Sequence, residues 1–435
     1  MRALVVGLGV AGEAAARRMA QRGWDVTVTE DRPSDATRAR AAALQGVTVL
    51  DSPDPETVDR LVDDAEVVVP SPGVPVGHPA IARALRRGVP VWSEFELVSR
   101  WGAAPMVAVT GTNGKTTVTT LVASMLEASG LRTVAAGNNE IPLVDVVDED
   151  LDVVVVEASS FRLEFTETFR PAVGVWLNLA EDHLDWHPSM AAYADAKAHI
   201  WQAQQAGDLA VANIDDPVVM RYARQVRSRL STFGLDHGDW RVEAGQLAGP
   251  DGAVVPVSAL WRSLPHDRTN ALAACAAALA AGASVEGVRR ALREFRGLPH
   301  RLVLVGDDGA VRFYDDSKAT DPHAAVAAVR SFASSVLIAG GRNKGLDLSV
   351  LAQEAGRLRG VVAIGEATEE IVAAFAGVAT VRTAGSMDDA VATARSLAEP
   401  GDAVLLSPAC ASFDWYRSYG ERGDDFARAV RALVG

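Results

Sequence analysis

Cysteine is nearly absent from this chain: 435 residues hold two, Cys275 and Cys410. No Cys-x-x-Cys or Cys/His cluster is present, which argues against a disulfide frame and a structural zinc site. A basic balance is missing too. Lys and Arg number 42 against 56 Asp and Glu, a net charge of −14, so the chain-wide electrostatic footprint of a nucleic-acid binder is lacking. An acidic protein that binds an anion must do so locally, through single lysines, glycine-rich turns and helix N-termini. Long apolar runs are also lacking. The longest, ALAACAAALAAGA from Ala271, has 13 residues, too short to span a bilayer. The opening MRALVVGLGVAG breaks into Gly-rich turn chemistry and offers no small-residue cleavage site, so it does not read as a signal peptide. The expectation is a soluble, cytoplasmic monomer without a nucleic-acid or membrane partner.

What is present is strand, turn and helix, repeated. One series runs through ALVVGLG, a helix from about Val10 to Gln21, then DVTVTE, VTVL, EVVVPSPG and VPVWSE. A second starts at MVAVTG, runs through LDVVVVEAS, AVGVWLNL and DLAVANID, and closes with an Ala-rich helix near Asn270 and another near 284–295. A third follows GLPHR, with VRFYDDS, SVLIAGG, GVVAIG, TVRTA and DAVLLSPA. Apolar strands alternating with helices predict an α/β protein built on mostly parallel sheets. Breaks near 92–94 and near Pro299 predict three domains, 1–93, 94–298 and 299–435, in keeping with the chain length. WRVEAGQLAGPDGAVVPV predicts a small hairpin inserted in the second series.

The chemistry-bearing stretches sit in strand-to-helix turns. VTGTNGKTT, Val109 to Thr117, lies between an apolar run and a helical one. The backbone N–H groups of Gly111, Thr112, Asn113 and Gly114 and the helix start can cradle a polyphosphate, Lys115 can reach its outer phosphates, and Thr116, followed by Thr117, offers a hydroxyl to Mg²⁺. The usual phosphate loop has glycine where Val109 stands, which counts against a motor-type or GTPase loop without removing the cradle. GLGVAG, Gly7 to Gly12, fits G-x-G-x-x-G after a strand, and Glu30 ends the next strand, where an acidic residue meets a ribose. It reads as an NAD site in a dehydrogenase, as a site for another diphosphate such as that of a UDP-sugar, or as tight strand-to-helix packing; no second nicotinamide-type feature accompanies it. Glu157 ends the strand VVVVE, and Asn178, Asp182, His183 and Asp185 crowd NLAEDHLDWH after the next strand. Oxygen ligands with an imidazole suit Mg²⁺ or Mn²⁺ beside phosphates, although one acidic strand end alone is often a helix cap. YDDSKAT, GGRNKG and SPACASFD each follow an apolar strand. Lys318, Thr320, Lys344 and Ser412 in them either form a pocket for a carboxylate-bearing substrate or are turn chemistry; the convergence of three favours the pocket. Cys410 reads as a buried small residue, since no paired base is evident.

Taken in order, GTNGKTT, VVVVEASSF, NLAEDHLDWH with a downstream AK, GLPHR, DDSKAT, GG-x-x-KG and LLSPACASFD resemble the Mur ligases over essentially the whole chain. GTNGKT is shared with the wider superfamily that includes folylpolyglutamate synthase, while DSKAT and SPACASFD resemble a glutamate-adding member. The resemblance implies a UDP-binding N-terminal domain, a central ATPase domain and a C-terminal domain that takes the amino acid. It implies ATP-dependent joining of glutamate to UDP-N-acetylmuramoyl-L-alanine through an acyl phosphate, in peptidoglycan precursor synthesis, with ATP and two Mg²⁺ ions (or Mn²⁺). By the same resemblance Lys115 lies on the ATP phosphates, Thr116 and Glu157 on one Mg²⁺, and His183 on a second. Lys197 matches the family's carbamylated lysine. Asn270 and Arg301 match ATP contacts, Asp316 an acid near the ribose, and Lys318 a lysine near the phosphates. Thr320, Lys344, Ser412 and Tyr419 match positions around the glutamate. Gly9, Val10, Ala11, Glu30, Ser71, Gly73 and Asn138, with His183, match the UDP-sugar side.

Three departures stand out. The family commonly reads GNIG where this chain has Gly137-Asn138-Asn139-Glu140; Tyr419 replaces a common Phe; Glu30 replaces a shorter Asp. The rival readings are a ligase with another acceptor, including an L-glutamate-adding form, and an NAD-dependent oxidoreductase using GLGVAG. The oxidoreductase leaves GTNGKTT and DSKAT unexplained.

Overall fold

The computed structural model describes residues 1–138 and 141–435; the Asn139-Glu140 departure lies outside them. By internal contacts the chain forms two units. One is Met1–Leu179, Trp186–Ser263 and Asp267–Phe295; the other is Ala180–Asp185, Leu264–His266 and Arg296–Gly435.

The first unit contains two parallel sheets. Strands β1 (Arg2–Val6), β2 (Asp25–Glu30), β3 (Val47–Asp51) and β4 (Val67–Pro70) lie in the order β3-β2-β1-β4. VPVWSE, expected to be a strand, contributes one isolated bridge from Val91 to Val68. Pro90 has no N–H for a ladder, and Ser93 caps the helix Glu94–Trp101 by accepting from the Glu96 N–H. The second sheet takes β5 (Met106–Thr110), β6 (Thr133–Gly137), β7 (Val153–Glu157), β8 (Val173–Trp176), β9 (Leu209–Asn213) and β10 (Arg229–Phe233), in the order β10-β9-β8-β5-β7-β6. The sequence reading passed over β6 and β10. Both are edge strands, and Arg229 and Leu230 at the start of β10 are exposed. Every residue of β5, β7 and β8 is buried. Alternate side chains feed two cores: Val107, Val109 and Val155 pack with the helix Lys115–Ala128, and Ala108, Val154 and Val156 pack on the opposite face. The chain runs from β5 to β6 and β7 on one side and then crosses to β8 on the other. The turns after β5, β7 and β8 therefore meet at a switch point, where ligands of open α/β sheets bind.

Instead of one hairpin, 240–257 folds into three antiparallel strands, β11 (Arg241–Glu243), β12 (Gln246–Gly249) and β13 (Gly252–Pro256). The sequence carried two tight turns. Ala244 and Gly245 both have positive φ, the backbone of a two-residue turn, and Pro250-Asp251 makes the second.

The second unit is a six-stranded sheet of β14 (Val303–Asp307), β15 (Arg312–Asp315), β16 (Ser335–Gly340), β17 (Leu358–Ile364), β18 (Val381–Thr383) and β19 (Ala403–Leu406), ordered β14-β15-β19-β16-β17-β18. Only the β14–β15 pair is antiparallel. β15, β19 and β16 are neighbours, so the loops DSKAT, SPACASFD and GGRNKG leave the same edge side by side. Both cysteines are buried, and burial pushes each thiol up to about 12.

Candidate active site

Val109 belongs to the strand and not to the loop. It pairs with Glu157 and Val175 and is fully buried. The turn that follows needs glycine at Gly111 (φ +153) and Gly114 (φ +88) instead. A Cβ on Gly114 would lie 2.6 Å from Asn270 Oδ1, so the Asn270 amide packs directly on the loop where the helix begins. The loop is braced from below. Asn178 Oδ1 accepts from the N–H groups of Thr112 (3.1 Å) and Asn113 (2.9 Å), and its Nδ2 donates to Asn113 O (3.0 Å). Asn178, a candidate metal ligand by sequence, is thus engaged in holding the turn. Lys115 Nζ donates to Gly111 O (2.8 Å) and Thr112 O (2.7 Å). Lys197, 1% exposed on the helix Met190–Gln202, also donates to Gly111 O (2.8 Å) and lies 4.4 Å from the Tyr193 ring centroid. Tyr193 in turn meets Thr112 Oγ1 through its hydroxyl (3.3 Å). Thr116 heads the helix beside them, and Thr117 is buried.

Glu157 is 3% exposed at the end of β7, and Asn138 Nδ2 donates to its Oε1 at 3.1 Å. The Asn138 oxygen accepts from Arg162 Nη1 (2.7 Å), and Arg162 Nε donates to Glu94 Oε1 (2.7 Å). With Oδ1 facing a pure donor, the Asn138 amide must turn its NH₂ to Glu157. Burial pushes the Glu94 carboxyl above its ordinary range even though Arg162 opposes the shift. Arg162 was missed by sequence reasoning; a single arginine in SSFRL has no local signature.

The second histidine of NLAEDHLDWH was also passed over. His187 is buried among Phe161, Trp186 and Tyr193, with Nε2 2.9 Å from Ser160 Oγ. Burial, helped by the charge of Lys197, lowers it to about 4. A depressed histidine stabilises the fold above its unfolded value near 6.5 and loses that contribution as pH falls toward 4. With Lys197 unmodified, the loss from pH 7 to pH 5 is about 2 kcal/mol. Urea midpoints at the two pH values should therefore converge in a folded His187→Gln variant, and an unchanged pH dependence would contradict the assignment.

In the N-terminal sheet the glycines serve close packing. A Cβ on Gly9 would lie 2.9 Å from Ser71 Oγ, and on Gly7 (φ +86) 2.9 Å from Val74 Cγ2. Val10 is exposed, Ala11 is buried and Gly73 faces open space. Glu30 accepts from the Leu8 N–H (2.8 Å) within GLGVAG and from the Arg32 N–H (2.9 Å). Ser71 lines a narrow cleft with Gly12, Val74, Glu94, Arg162 and Trp186.

The remaining candidates lie in the second unit. Lys344 Nζ is 2.5 Å from Asp182 Oδ1. Asp182 Oδ1 also accepts from the His183 N–H, and its Oδ2 is 3.2 Å from His183 Nε2. Burial pushes the Asp182 carboxyl up, but His183 and Lys344 outweigh it and hold the group below its ordinary range. Asp185 is exposed. Asp316 accepts from Ser407 Oγ (2.8 Å) and the Leu302 N–H (3.2 Å), which ties the DSKAT turn to the neighbouring strand end. Lys318 Nζ lies 3.8 Å over the Tyr419 ring, a cation–π contact. Ser412 is buried, and Arg301 and Thr320 are half-buried. Among the described residues no group of three or more His, Cys, Asp or Glu is poised around a metal.

Against known proteins, residues 1–93 match the Mur ligase MurD-like N-terminal domain, 109–278 the Mur ligase middle domain, and 300–410 the Mur ligase glutamate ligase domain. A UDP-N-acetylmuramoylalanine--D-glutamate ligase of Desulfosudis oleivorans is 44% identical over 99% of this chain and 96% of its own length. A protein of the same name from Frankia casuarinae is 43% identical over 99% and 94%. Among solved structures, the UDP-N-acetylmuramate-alanine ligase MurC of Thermotoga maritima has a TM-score of 0.59 at 19% identity, covering 100% of both chains. MurF from Acinetobacter baumannii has a TM-score of 0.62 at 17%, covering 98% of this chain and 93% of its own. The structural likeness is one of fold, a three-domain α/β architecture on mostly parallel sheets. With full-length relatives this similar, the chain belongs to the Mur ligase family.

Proposed function

We propose that the protein is an ATP-dependent amide ligase that adds D-glutamate to UDP-N-acetylmuramoyl-L-alanine in peptidoglycan precursor synthesis. On this reading 1–93, 94–298 and 299–435 serve the UDP-sugar, ATP and the amino acid. What carries it is the phosphate loop at Gly111–Lys115, seated between the strand ends of Glu157 and Asn178, in a chain whose full-length relatives bear the name of that ligase.

A carboxylate oxygen is a poor leaving group, so amide formation in water needs prior activation. The muramoyl-alanine carboxylate attacks the γ-phosphorus of ATP, the bond to ADP breaks, and an acyl phosphate results. The neutral glutamate amine then attacks the acyl carbon, gives up a proton, and phosphate leaves. Lys115, now on loop carbonyls, swings to the phosphate oxygens. Asn270 and Arg301 hold the nucleotide, with Asp316 toward the ribose and Lys318 toward the phosphates. Gly9, Val10, Ala11, Glu30, Ser71, Gly73 and Asn138 serve the UDP-sugar, and Thr320, Lys344, Ser412 and Tyr419 serve the glutamate.

Thr116, Glu157, His183 and a carbamylated Lys197 would hold two ions, Mg²⁺ or Mn²⁺. A buried strand-end carboxylate with one oxygen steadied by Asn138 suits Mg²⁺, which takes one or two protein carboxylates beside phosphates and water and not an all-protein cage. Magnesium, when bound, neutralises charge on the reacting phosphoryl group. Carbamylation converts the Lys197 amine to N–H–COO⁻ with release of a proton. The one remaining N–H preserves the bond to Gly111 O, and two acceptor oxygens are gained. Incubation with ¹³C-bicarbonate should therefore give a carbamate NMR signal that is missing from Lys197→Arg; identical spectra would sink the modification.

Phosphate release from ATP is the test of the reaction. Release should require UDP-N-acetylmuramoyl-L-alanine and D-glutamate together. Equal or better release with L-glutamate would overturn the choice of enantiomer, and none with either would overturn the ligase reading.

A further inference from the structure

Arg422 is 1% exposed, and among the described residues it forms no ion pair. Its guanidinium instead serves the loops above it. Nε donates to Ser317 Oγ (2.9 Å), Nη2 to Ser317 O (2.8 Å) and Nη1 to Cys410 O (3.0 Å). The third loop passes beside the same group. A Cβ on Gly341 (φ +130) would lie 3.1 Å from Arg422 Nη1, and Arg342 exchanges both backbone hydrogen bonds with Ala411. The helix Tyr419–Val434 that carries Arg422 is anchored at its first residue, since Ser317 Oγ donates to Tyr419 O (2.8 Å). One guanidinium thus lies beneath DSKAT, SPACASFD and GGRNKG at once.

Each of these residues is close in sequence to a side chain assigned above to the glutamate: Ser317 is three before Thr320, Cys410 two before Ser412, and Gly341 three before Lys344. A buried polar group on this scale has to be hydrogen-bonded in full, and a planar fork of donors meets three diverging acceptors where a point-like ammonium cannot. Burial lowers Arg422 to about 10, so it keeps its charge at neutral pH.

We propose that Arg422 is the positioning residue of the amino-acid site: it fixes the three loops relative to one another and so sets the spacing among Thr320, Lys344 and Ser412. The inference rests on the reading of this edge as the glutamate site. Steady-state kinetics of the full-length protein in all three substrates, well below each variant's unfolding temperature, test it with Arg422→Lys, Arg422→Met and Ser317→Ala. Arg422→Lys, which keeps the charge but not the fork, should raise the glutamate KM roughly tenfold while the ATP and UDP-sugar KM values stay within about twofold. Arg422→Met should show a larger rise in the same parameter, and Ser317→Ala, which removes one acceptor, a smaller one. If Arg422→Met does not fold, the other two carry the test. Variants that unfold earlier but keep all three KM values would reduce Arg422 to a structural residue and overturn the inference. A wild-type enzyme that does not use glutamate would overturn the substrate reading, and the inference with it.

Discussion

Lys115→Ala should give a folded protein that releases phosphate from ATP several hundredfold more slowly, whatever the substrate concentrations. The lysine is half-buried, and its ammonium rests on two loop carbonyls, Gly111 O and Thr112 O. Water can replace it there, so little stability is at stake. In the reaction the situation differs. Negative charge grows on the transferring phosphoryl oxygens, and a preorganised donor aimed at such charge is typically worth about 3–4 kcal/mol. The loop itself should survive the substitution. Its shape is held by Asn178 below, by Lys197 on Gly111 O, and by glycine at the two left-handed positions. Nucleotide binding should therefore fall less than turnover. Isothermal titration with ADP and single-turnover phosphate release separate the two. Near-normal turnover in a folded variant would remove this loop from the chemistry.

The Gly-rich turn between strand and helix was legible because its parts are local: nine consecutive residues carry the turn, the cation and the hydroxyls. The loop's one irregularity, Val109, was not resolved by sequence, since it took the pairing of Val109 with Glu157 and Val175 to place it in the sheet. The adjacency of the three C-terminal loops was expected from their strands, and the order β15-β19-β16 supplies it. Contacts between residues far apart in the chain were not legible. Arg422 meets Ser317 across 105 positions, and Arg162 meets Glu94 across 68. Arg162 lies in a single short helical turn, and Arg422 is one of three arginines on its helix, so no spacing betrays either. Residue type alone also does not show what a side chain holds within its own domain. Asn178 braces the Gly-rich turn, and Glu30 accepts backbone N–H groups of Leu8 and Arg32. VPVWSE has the composition of a strand, yet a proline and a helix cap leave it one bridge.

Lys344→Ala should raise the KM for glutamate at least tenfold and move those for ATP and the UDP-sugar far less. Glutamate brings two carboxylates, and Lys344 is one of two cations on its loop; the other, Arg342, is paired with Glu366. The lysine is already paired, however, with Asp182 at 2.5 Å, so an incoming carboxylate must share Lys344 or displace Asp182. Truncating one member of a charge-assisted contact costs roughly 2–5 kcal/mol, part of which is the stranded partner, and each decade in affinity is about 1.4 kcal/mol. Asp182 is that partner. It is 6% exposed, and its carboxyl is kept below the ordinary range by His183 and Lys344 against the effect of burial. Losing Lys344 should lift it. The sign follows from linkage: a depressed carboxylate stabilises the fold above its unfolded value near 3.9 and loses that contribution as pH falls. Lys344→Ala should therefore shed the acid-side sensitivity that this pair contributes, while Asp182→Asn should shed it without removing the cation. In Asp182→Asn, Lys344 is released from its partner, and the glutamate KM should fall below wild type even if turnover suffers through His183. The Asp182→Asn, Lys344→Ala double variant should return to the high KM of Lys344→Ala alone. If the double variant instead recovers the wild-type KM, the effect of Lys344→Ala came from the stranded Asp182, and Lys344 does not bind the amino acid.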